Sequence, residues 1–133
     1  MEDKTILVIE DNELNMKLVR SLLKMSSYVM LEAGDAETGI GLAREKKPDL
    51  ILMDIQLPGM DGLSATKILK ADPSLKDTII IALTSHAMEG DDKKVREAGC
   101  DGYITKPIDT RNFLQTVTNY VNGPHDRQGE TGN

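Results

Sequence analysis

Short aliphatic runs recur along the chain, and none of them alternates with polar residues. The four clear runs are Thr5–Ile9, Leu50–Met53, Ile79–Leu83 and Tyr103–Ile104. Short runs that are apolar at consecutive positions are typical of parallel strands buried on both faces. A weaker strand candidate, Tyr28–Glu32, lies between the first two runs. The pattern therefore predicts five strands, and the last would extend over Gly102–Thr105.

Apolar residues at helical spacing lie between the strands. The inward positions of the first helix would be Leu14, Leu18, Val19, Leu22 and Leu23. Asp35 can cap a second helix, whose inward positions would be Ala36, Ile40 and Ala43. Further helices are predicted near residues 63–71, 89–98 and 109–121, and the last would turn Phe113, Val117, Tyr120 and Val121 inward.

Five strands that alternate with five helices require a parallel sheet covered on both faces. We expect an α/β fold, a flavodoxin-like (βα)5 three-layer sandwich with right-handed crossovers. The strand order 2-1-3-4-5 is chosen because it sets strands 1 and 3 side by side, which brings Asp11 near Asp54.

The chain has the size of one globular domain, at 133 residues. We expect this domain over residues 1–123. From Gly123 onward the sequence is polar, rich in Gly and without apolar residues to bury, so residues 124–133 are predicted to form a disordered tail. No output domain is expected in this chain.

Charge and cysteine content narrow the class of protein. A net charge of −6 opposes attraction to nucleic acid and to anionic membrane surfaces, which select for clustered Lys and Arg. Cys100 is the only cysteine, so an internal disulfide is impossible and a reducing compartment is favoured. No apolar run reaches the length of a secretory core or a membrane span. We therefore expect a cytoplasmic protein that binds neither nucleic acid nor membrane directly.

Polar residues stand where the aliphatic runs end. They are Glu10, Asp11, Asp54, Thr84 and Lys106. In an open α/β sheet, ligands bind beyond the carboxyl ends of the strands, where the strand order reverses. Three acids, a hydroxyl and an ammonium would converge at that point, which indicates a divalent cation next to a phosphoryl group.

Four segments together resemble the receiver domain of two-component response regulators. They are Val8–Asn12, Leu52–Gly62, Ala82–Ser85 and Tyr103–Pro107, and the resemblance extends over residues 4–122. Each segment alone is a weak signal, but their order and spacing together are specific. Within the family, the motifs are most similar to stand-alone DivK-like regulators and to the receivers of hybrid histidine kinases.

The resemblance implies that Asp54 accepts a phosphoryl group from a histidine kinase or a histidine phosphotransfer protein in a phosphorelay. Mg²⁺, for which Mn²⁺ can substitute, would be held by Asp11, Asp54 and the main-chain carbonyl of Gln56, with Glu10 acting through a water. The chain would then catalyse only its own phosphorylation and dephosphorylation. We expect a signalling phosphoacceptor and not an enzyme with a separate substrate.

The resemblance also implies roles around the phosphoryl group. Thr84 would sense it, Lys106 would stabilise its charge, and the bond before Pro107 is a candidate for the cis isomer. Tyr103 fits a switch that follows Thr84 as well as it fits a static, half-buried ring.

The resemblance implicates two more positions, Gln56, two residues after Asp54, and His86, two residues after Thr84. In the family these positions flank the phosphoryl site and affect how attacking water is admitted, so we hypothesise that Gln56 and His86 set the lifetime of phosphorylated Asp54. The signal would pass to a downstream protein through helix 4, strand 5 and helix 5.

Three other functions are compatible with parts of the pattern. A haloacid-dehalogenase-like phosphatase also uses a strand-end aspartate, but it needs a second acid where Gln56 stands. A flavin-binding domain of the same topology needs a Ser/Thr-rich phosphate loop, which the segment after the first strand lacks. A degenerate receiver would bind partners without phosphorylation, and the complete set of acids, Thr84 and Lys106 argues against it.

Overall fold

Five parallel strands form one sheet in the order β2-β1-β3-β4-β5, which confirms the predicted order. In this computed structural model, residues 4–85 and 91–131 are described, with side chains except at 91–92 and 123–131. The strands are β1 (Thr5–Ile9), β2 (Val29–Ala33), β3 (Leu50–Asp54), β4 (Ile79–Thr84) and β5 (Gly102–Thr105).

Five helices alternate with the strands. They are α1 (Glu13–Leu23), α2 (Ala36–Lys46), α3 (Gly62–Lys70), α4 (Asp91–Ala98) and α5 (Phe113–Thr131), and a 3-10 turn, Pro73–Leu75, precedes β4. The fold is therefore the predicted flavodoxin-like (βα)5 arrangement. Among the described residues, no helix combines the length and the apolar character needed to cross a bilayer.

Alternate residues of the central strands face opposite layers, and both sets are buried. Ile6 and Val8 of β1 pack in a cluster with α1 and α5, whereas Leu7 and Ile9 pack in a second cluster with α2 and α3. Every residue of β3 and β4 is buried. Because helices cover both faces, these strands have no solvent-facing side, which explains their continuous aliphatic runs.

Asparagine and aspartate side chains begin the first three helices. The caps are Asn12, Asp35 and Asp61, and each accepts a hydrogen bond from the main-chain N–H three residues later, at 3.0, 2.7 and 2.8 Å. These bonds satisfy N–H groups that have no partner within the helix. The predicted cap at Asp35 is confirmed.

One predicted core position in α1 is wrong. Leu14 is 78% exposed, whereas Met16 is buried although it was not among the predicted inward residues. Successive helical residues are about 100° apart, so Met16, Val19 and Leu23 share the inward face. Leu14 lies two positions from Met16 and points away from the sheet.

The last helix differs from its predicted range of 109–121 at both ends. Asp109 forms a turn before α5, in which its main-chain oxygen accepts from the N–H of Phe113 at 3.0 Å. The helix then continues through Gly123 and Pro124 to Thr131. A proline inside a helix removes one hydrogen bond and crowds the preceding turn, and α5 nevertheless includes Pro124.

The inward face of α5 is close to the prediction. Phe113 and Val117 are buried, and Tyr120 and Val121 are half-buried against the same cluster. The domain boundary at residue 123 and the disorder of residues 124–133 stay predictions. The predicted start of the fourth helix at Glu89 lies outside the described residues.

Candidate functional site

Main-chain hydrogen bonds hold the residues that follow β1 and β5 at the carboxyl edge of the sheet. The N–H of Glu10 donates to the carbonyl of Ala33 at 3.0 Å, and the N–H of Lys106 donates to the carbonyl of Thr84 at 2.7 Å. These bonds continue the parallel ladder one step beyond the strands. The positions of both functional side chains are therefore set by the sheet itself.

Three carboxylates meet at this edge. One oxygen atom from each of Glu10, Asp11 and Asp54 lies within 4.8 Å of the other two. Glu10 and Asp54 are buried, whereas Asp11 is exposed and faces solvent. A cluster of oxygen ligands with one open side fits Mg²⁺ or Mn²⁺, which are hard cations that prefer oxygen and retain water.

Lys106 is the cation that the structure places among these acids. Its Nζ lies 2.9 Å from Oε1 of Glu10 and 3.3 Å from Oδ2 of Asp54, and its side chain is 13% exposed. Oε1 of Glu10 is buried and has no hydrogen-bond partner among the described residues, and its contact with Lys106 is an ion pair. The ammonium thus bridges two of the three acids.

Burial and charge act in opposite directions at Glu10 and Lys106. Burial raises the pKa of the Glu10 carboxyl, and nearby Asp54 raises it further, while Lys106 opposes the shift without cancelling it. Burial alone would lower the pKa of Lys106, but Glu10 and Asp54 outweigh it and the pKa is raised. Lys106 therefore keeps its positive charge at the site.

The loop after β3 fixes the other oxygen of Asp54. Oδ1 of Asp54 accepts from the main-chain N–H of Gln56 at 2.9 Å. The exposed carboxamide of Gln56 accepts in turn, at Oε1, from the hydroxyl of Ser85 at 3.3 Å. Two loops, one after β3 and one after β4, are thus joined beside Asp54.

Glycine at position 62 permits the close approach of α3 to this loop. A Cβ atom at Gly62 would overlap the main-chain oxygen of Asp54 and lie within 2.5 Å of the Cα of Ile55. Any side chain here would displace the backbone that carries Asp54.

The remaining predicted site residues differ in how closely they join this cluster. Thr84 is buried at the end of β4, next to the strand that ends in Asp54. Tyr103 is 37% exposed on the edge strand β5. The bond between Lys106 and Pro107 is cis. His86 lies outside the described residues, so its predicted influence on lifetime stays a prediction.

Ser85 and Gly62 belong to the site, but the sequence did not assign a role to either. A serine after Thr84 is an ordinary loop residue until the fold brings it within hydrogen-bonding distance of Gln56. Glycine before a helix suggests a turn, and only the tertiary structure reveals that backbone atoms occupy the space of its missing side chain.

Comparison with known families finds one that covers most of the chain. The model of the response regulator receiver domain matches residues 6–118. The polar-differentiation response regulator DivK of Brucella anthropi is 47% identical over 118 residues, which are 89% of this chain and 96% of the relative.

Two solved structures are similar in fold and extent. The receiver domain of sensor histidine kinase PA1611 from Pseudomonas aeruginosa, with a magnesium ion in its active-site cleft, has 30% identity and a TM-score of 0.84, covering 92% of this chain and 100% of its own. The co-crystal of the Saccharomyces cerevisiae phosphotransfer protein Ypd1 with the receiver of its downstream regulator Ssk1 contains a chain with 26% identity and a TM-score of 0.81. That match covers 89% of this chain and 88% of the other.

Proposed function

Because this chain belongs to the response regulator receiver family, it is a phosphoacceptor of two-component signalling, and we propose that Asp54 is the residue that takes the phosphoryl group. It is a signalling protein and not a classical enzyme. The observation that supports Asp54 most directly is its buried carboxylate, held between the N–H of Gln56 and the ammonium of Lys106 beside two further acids.

The transfer reaction follows from this arrangement. A carboxylate oxygen of Asp54 attacks the phosphorus of a phosphohistidine, the P–N bond breaks, and its electron pair returns to the imidazole of the donor. The product is an acyl phosphate on Asp54. Negative charge spreads over the phosphoryl oxygens during transfer, and Lys106 is close enough to stabilise that charge.

The acids would hold the cation that this reaction needs. Asp11, Asp54 and the main-chain carbonyl of Gln56 would be direct ligands, and Glu10 would act through a water. When bound, Mg²⁺ or Mn²⁺ supplies positive charge against the phosphoryl oxygens. The exposed position of Asp11 leaves that side open for water and for an incoming phosphoryl group.

Thr84 and Tyr103 would convert the modification into a signal. The hydroxyl of Thr84 can donate to a phosphoryl oxygen, and the nearly two negative charges that phosphorylation adds favour that bond. A shift of Thr84 toward the phosphoryl group would then change the position of Tyr103, whose ring is partly exposed on β5. We propose that α4, β5 and α5 form the surface for the downstream protein.

The upstream partner is a histidine kinase or a histidine phosphotransfer protein, in keeping with the family. We place the exchange in the cytoplasm, where ATP is available to phosphorylate the histidine of the donor. Recovery of the protein in a compartment without ATP would contradict that location.

The test of function compares Asp54→Asn with the parent protein in the presence of acetyl phosphate and Mg²⁺. The parent should acquire a phosphoryl group that is stable to acid and labile to base, and Asp54→Asn should acquire none. The control is Asp77→Asn, which removes the same charge from an exposed position before β4, at the opposite edge of the sheet. Full labelling of Asp54→Asn, with the same acid and base stability, would refute the assignment.

A further inference from the structure

The hydrogen bond between Ser85 and Gln56 crosses from one strand-end loop to the next. Ser85 Oγ donates to Oε1 of Gln56 at 3.3 Å, and both residues are exposed. The two loops follow β3 and β4, which are adjacent strands paired so that Asp54 stands opposite Leu83. The bond therefore lies on the solvent side of the proposed phosphoacceptor.

The main chain of Gln56 has little freedom at this point. Its N–H is bound to Oδ1 of Asp54 at 2.9 Å, and the preceding residue, Ile55, donates its N–H to the carbonyl of Leu83 at 3.1 Å. The side-chain torsions of Gln56 are what remains free to vary. A hydrogen bond at the far end of this side chain restricts those torsions.

The polarity of the bond limits what the carboxamide can do. A glutamine has an oxygen that accepts and a nitrogen that only donates. With Oε1 bound to Ser85, the group that Gln56 can turn to a phosphoryl oxygen is its NH₂. That group cannot accept a proton from an attacking water, and its bulk stays at the rim of the site.

We propose that Ser85 is a positioning residue that prolongs the lifetime of phosphorylated Asp54 by holding the Gln56 carboxamide across the path of water. The inference rests on the proposed phosphorylation of Asp54. Ser85 would slow the hydrolysis of phosphorylated Asp54. In that reaction a water oxygen bonds to phosphorus, and the P–O bond to Asp54 breaks with its electron pair returning to the carboxylate. The water proton leaves with the phosphate or the solvent.

The test follows the decay of phosphorylated protein after acetyl phosphate has been removed and Mg²⁺ retained. The variants are Ser85→Ala, Gln56→Ala and the double variant, with Ser85→Thr as the conservative replacement that keeps the hydroxyl. Loss of one neutral hydrogen bond in Ser85→Ala is expected to shorten the half-life about two- to fivefold. Gln56→Ala should shorten the half-life at least as much, and Ser85→Thr should keep the half-life of the parent.

The double variant separates positioning from an independent effect. If Ser85 acts through Gln56, removing its hydroxyl changes nothing further once Gln56 is alanine. Decay is followed only in protein that has already been phosphorylated, so the half-life does not depend on how fast each variant is labelled. Ser27→Ala, at an exposed serine in the α1–β2 connection, is the matched control and should decay as the parent does.

Two results would overturn the role of Ser85: an unchanged half-life in Ser85→Ala, or an equal acceleration when Gln56 is already alanine. Each of these can occur in a protein that is labelled normally, and would leave the proposed function untouched. A parent protein that takes no label at all would instead refute the phosphoacceptor and the role of Ser85 together.

Discussion

At the scale of single residues, Asp11 differs from the two acids beside it. Glu10 and Asp54 lie close to Lys106, so part of their negative charge is balanced inside the protein. In the part of the chain that the structure describes, no ion pair joins Asp11 to a basic residue, and its side chain faces solvent. Its charge can therefore be removed without leaving a buried partner uncompensated.

We predict that Asp11→Asn weakens Mg²⁺ binding by about tenfold or more. Loss of a group that only supports a metal ligand already lowers metal affinity by about tenfold, and Asp11 would be a direct ligand. At a concentration 100 times its Kd, Mg²⁺ should raise the free energy of unfolding of the parent by about 2.7 kcal/mol. The same concentration should stabilise Asp11→Asn much less in thermal unfolding.

Asp77→Asn serves again as the control of equal charge and should respond to Mg²⁺ as the parent does. An equal rise in the unfolding temperature of Asp11→Asn and the parent, over the same Mg²⁺ titration, would argue against Asp11 as a ligand.

At the scale of elements, α2 contains two glycines in opposite surroundings. A Cβ atom at Gly39 would overlap Cδ1 of Ile9 and lie 2.6 Å from its Cγ1, and Ile9 is fully buried in β1. A Cβ atom at Gly41 would meet nothing within 4 Å. The helix therefore packs closely on the sheet at one glycine and faces open space at the other.

The same substitution should have opposite effects at these two positions. Gly41→Ala is expected to raise the free energy of unfolding by about 1 kcal/mol, because alanine favours the helix over glycine. Gly39→Ala gains the same propensity but forces Ile9 to move within a filled core, which costs about 1–3 kcal/mol. Unfolding in urea measures both, and each variant is the control for the other.

A net loss of stability in Gly39→Ala together with a gain in Gly41→Ala would fit the packing. Equal gains in both variants would mean that α2 does not approach β1 as closely as the structure indicates.

At the scale of the whole molecule, contacts cross between elements far apart in sequence and reach the proposed output face. The hydroxyl of Tyr28, just before β2, lies 2.7 Å from that of Thr118 on α5. A Cβ atom at Gly102 would overlap the ring of Tyr120, so β5 and α5 are in close contact. A shift of β5 would therefore displace residues of α5 directly.

We predict that phosphorylation changes the environment of β5 and α5, and not the cleft alone. Main-chain amide chemical shifts of Tyr103, Thr118 and Tyr120 should move when acetyl phosphate and Mg²⁺ are added to the parent. They should stay unchanged in Asp54→Asn under identical conditions. Shifts limited to the residues that border Asp54 would contradict α4, β5 and α5 as the output surface.

Much of the fold could be predicted because its signals are local. Ile79–Leu83 is apolar throughout, and β4 is buried at every position. Asp35 is a residue type that caps helices, and it caps α2. Leu14 was assigned wrongly because an apolar residue near a helix start satisfies the spacing rule whether or not it faces the sheet.

The site was predictable in part for a different reason. Residues that end parallel strands must lie at one edge of the sheet, so Asp54 and Lys106 could be assigned to the same region before any distance was known. The bond from Ser85 to Gln56 had no such signal, since hydroxyl and amide residues are common in loops and meet only by the packing of two turns.

The sequence alone determined the alternation of strands and helices and the set of polar residues at the strand ends, because these features depend on the local periodicity of the chain. Only the tertiary structure determined that Lys106 contacts both Glu10 and Asp54. It also determined that backbone atoms of Asp54 occupy the space of a side chain at Gly62, and that Ser85 donates a hydrogen bond to Gln56. The reason is physical: these contacts join residues far apart in the chain, and their distances depend on how neighbouring strands and loops pack in three dimensions.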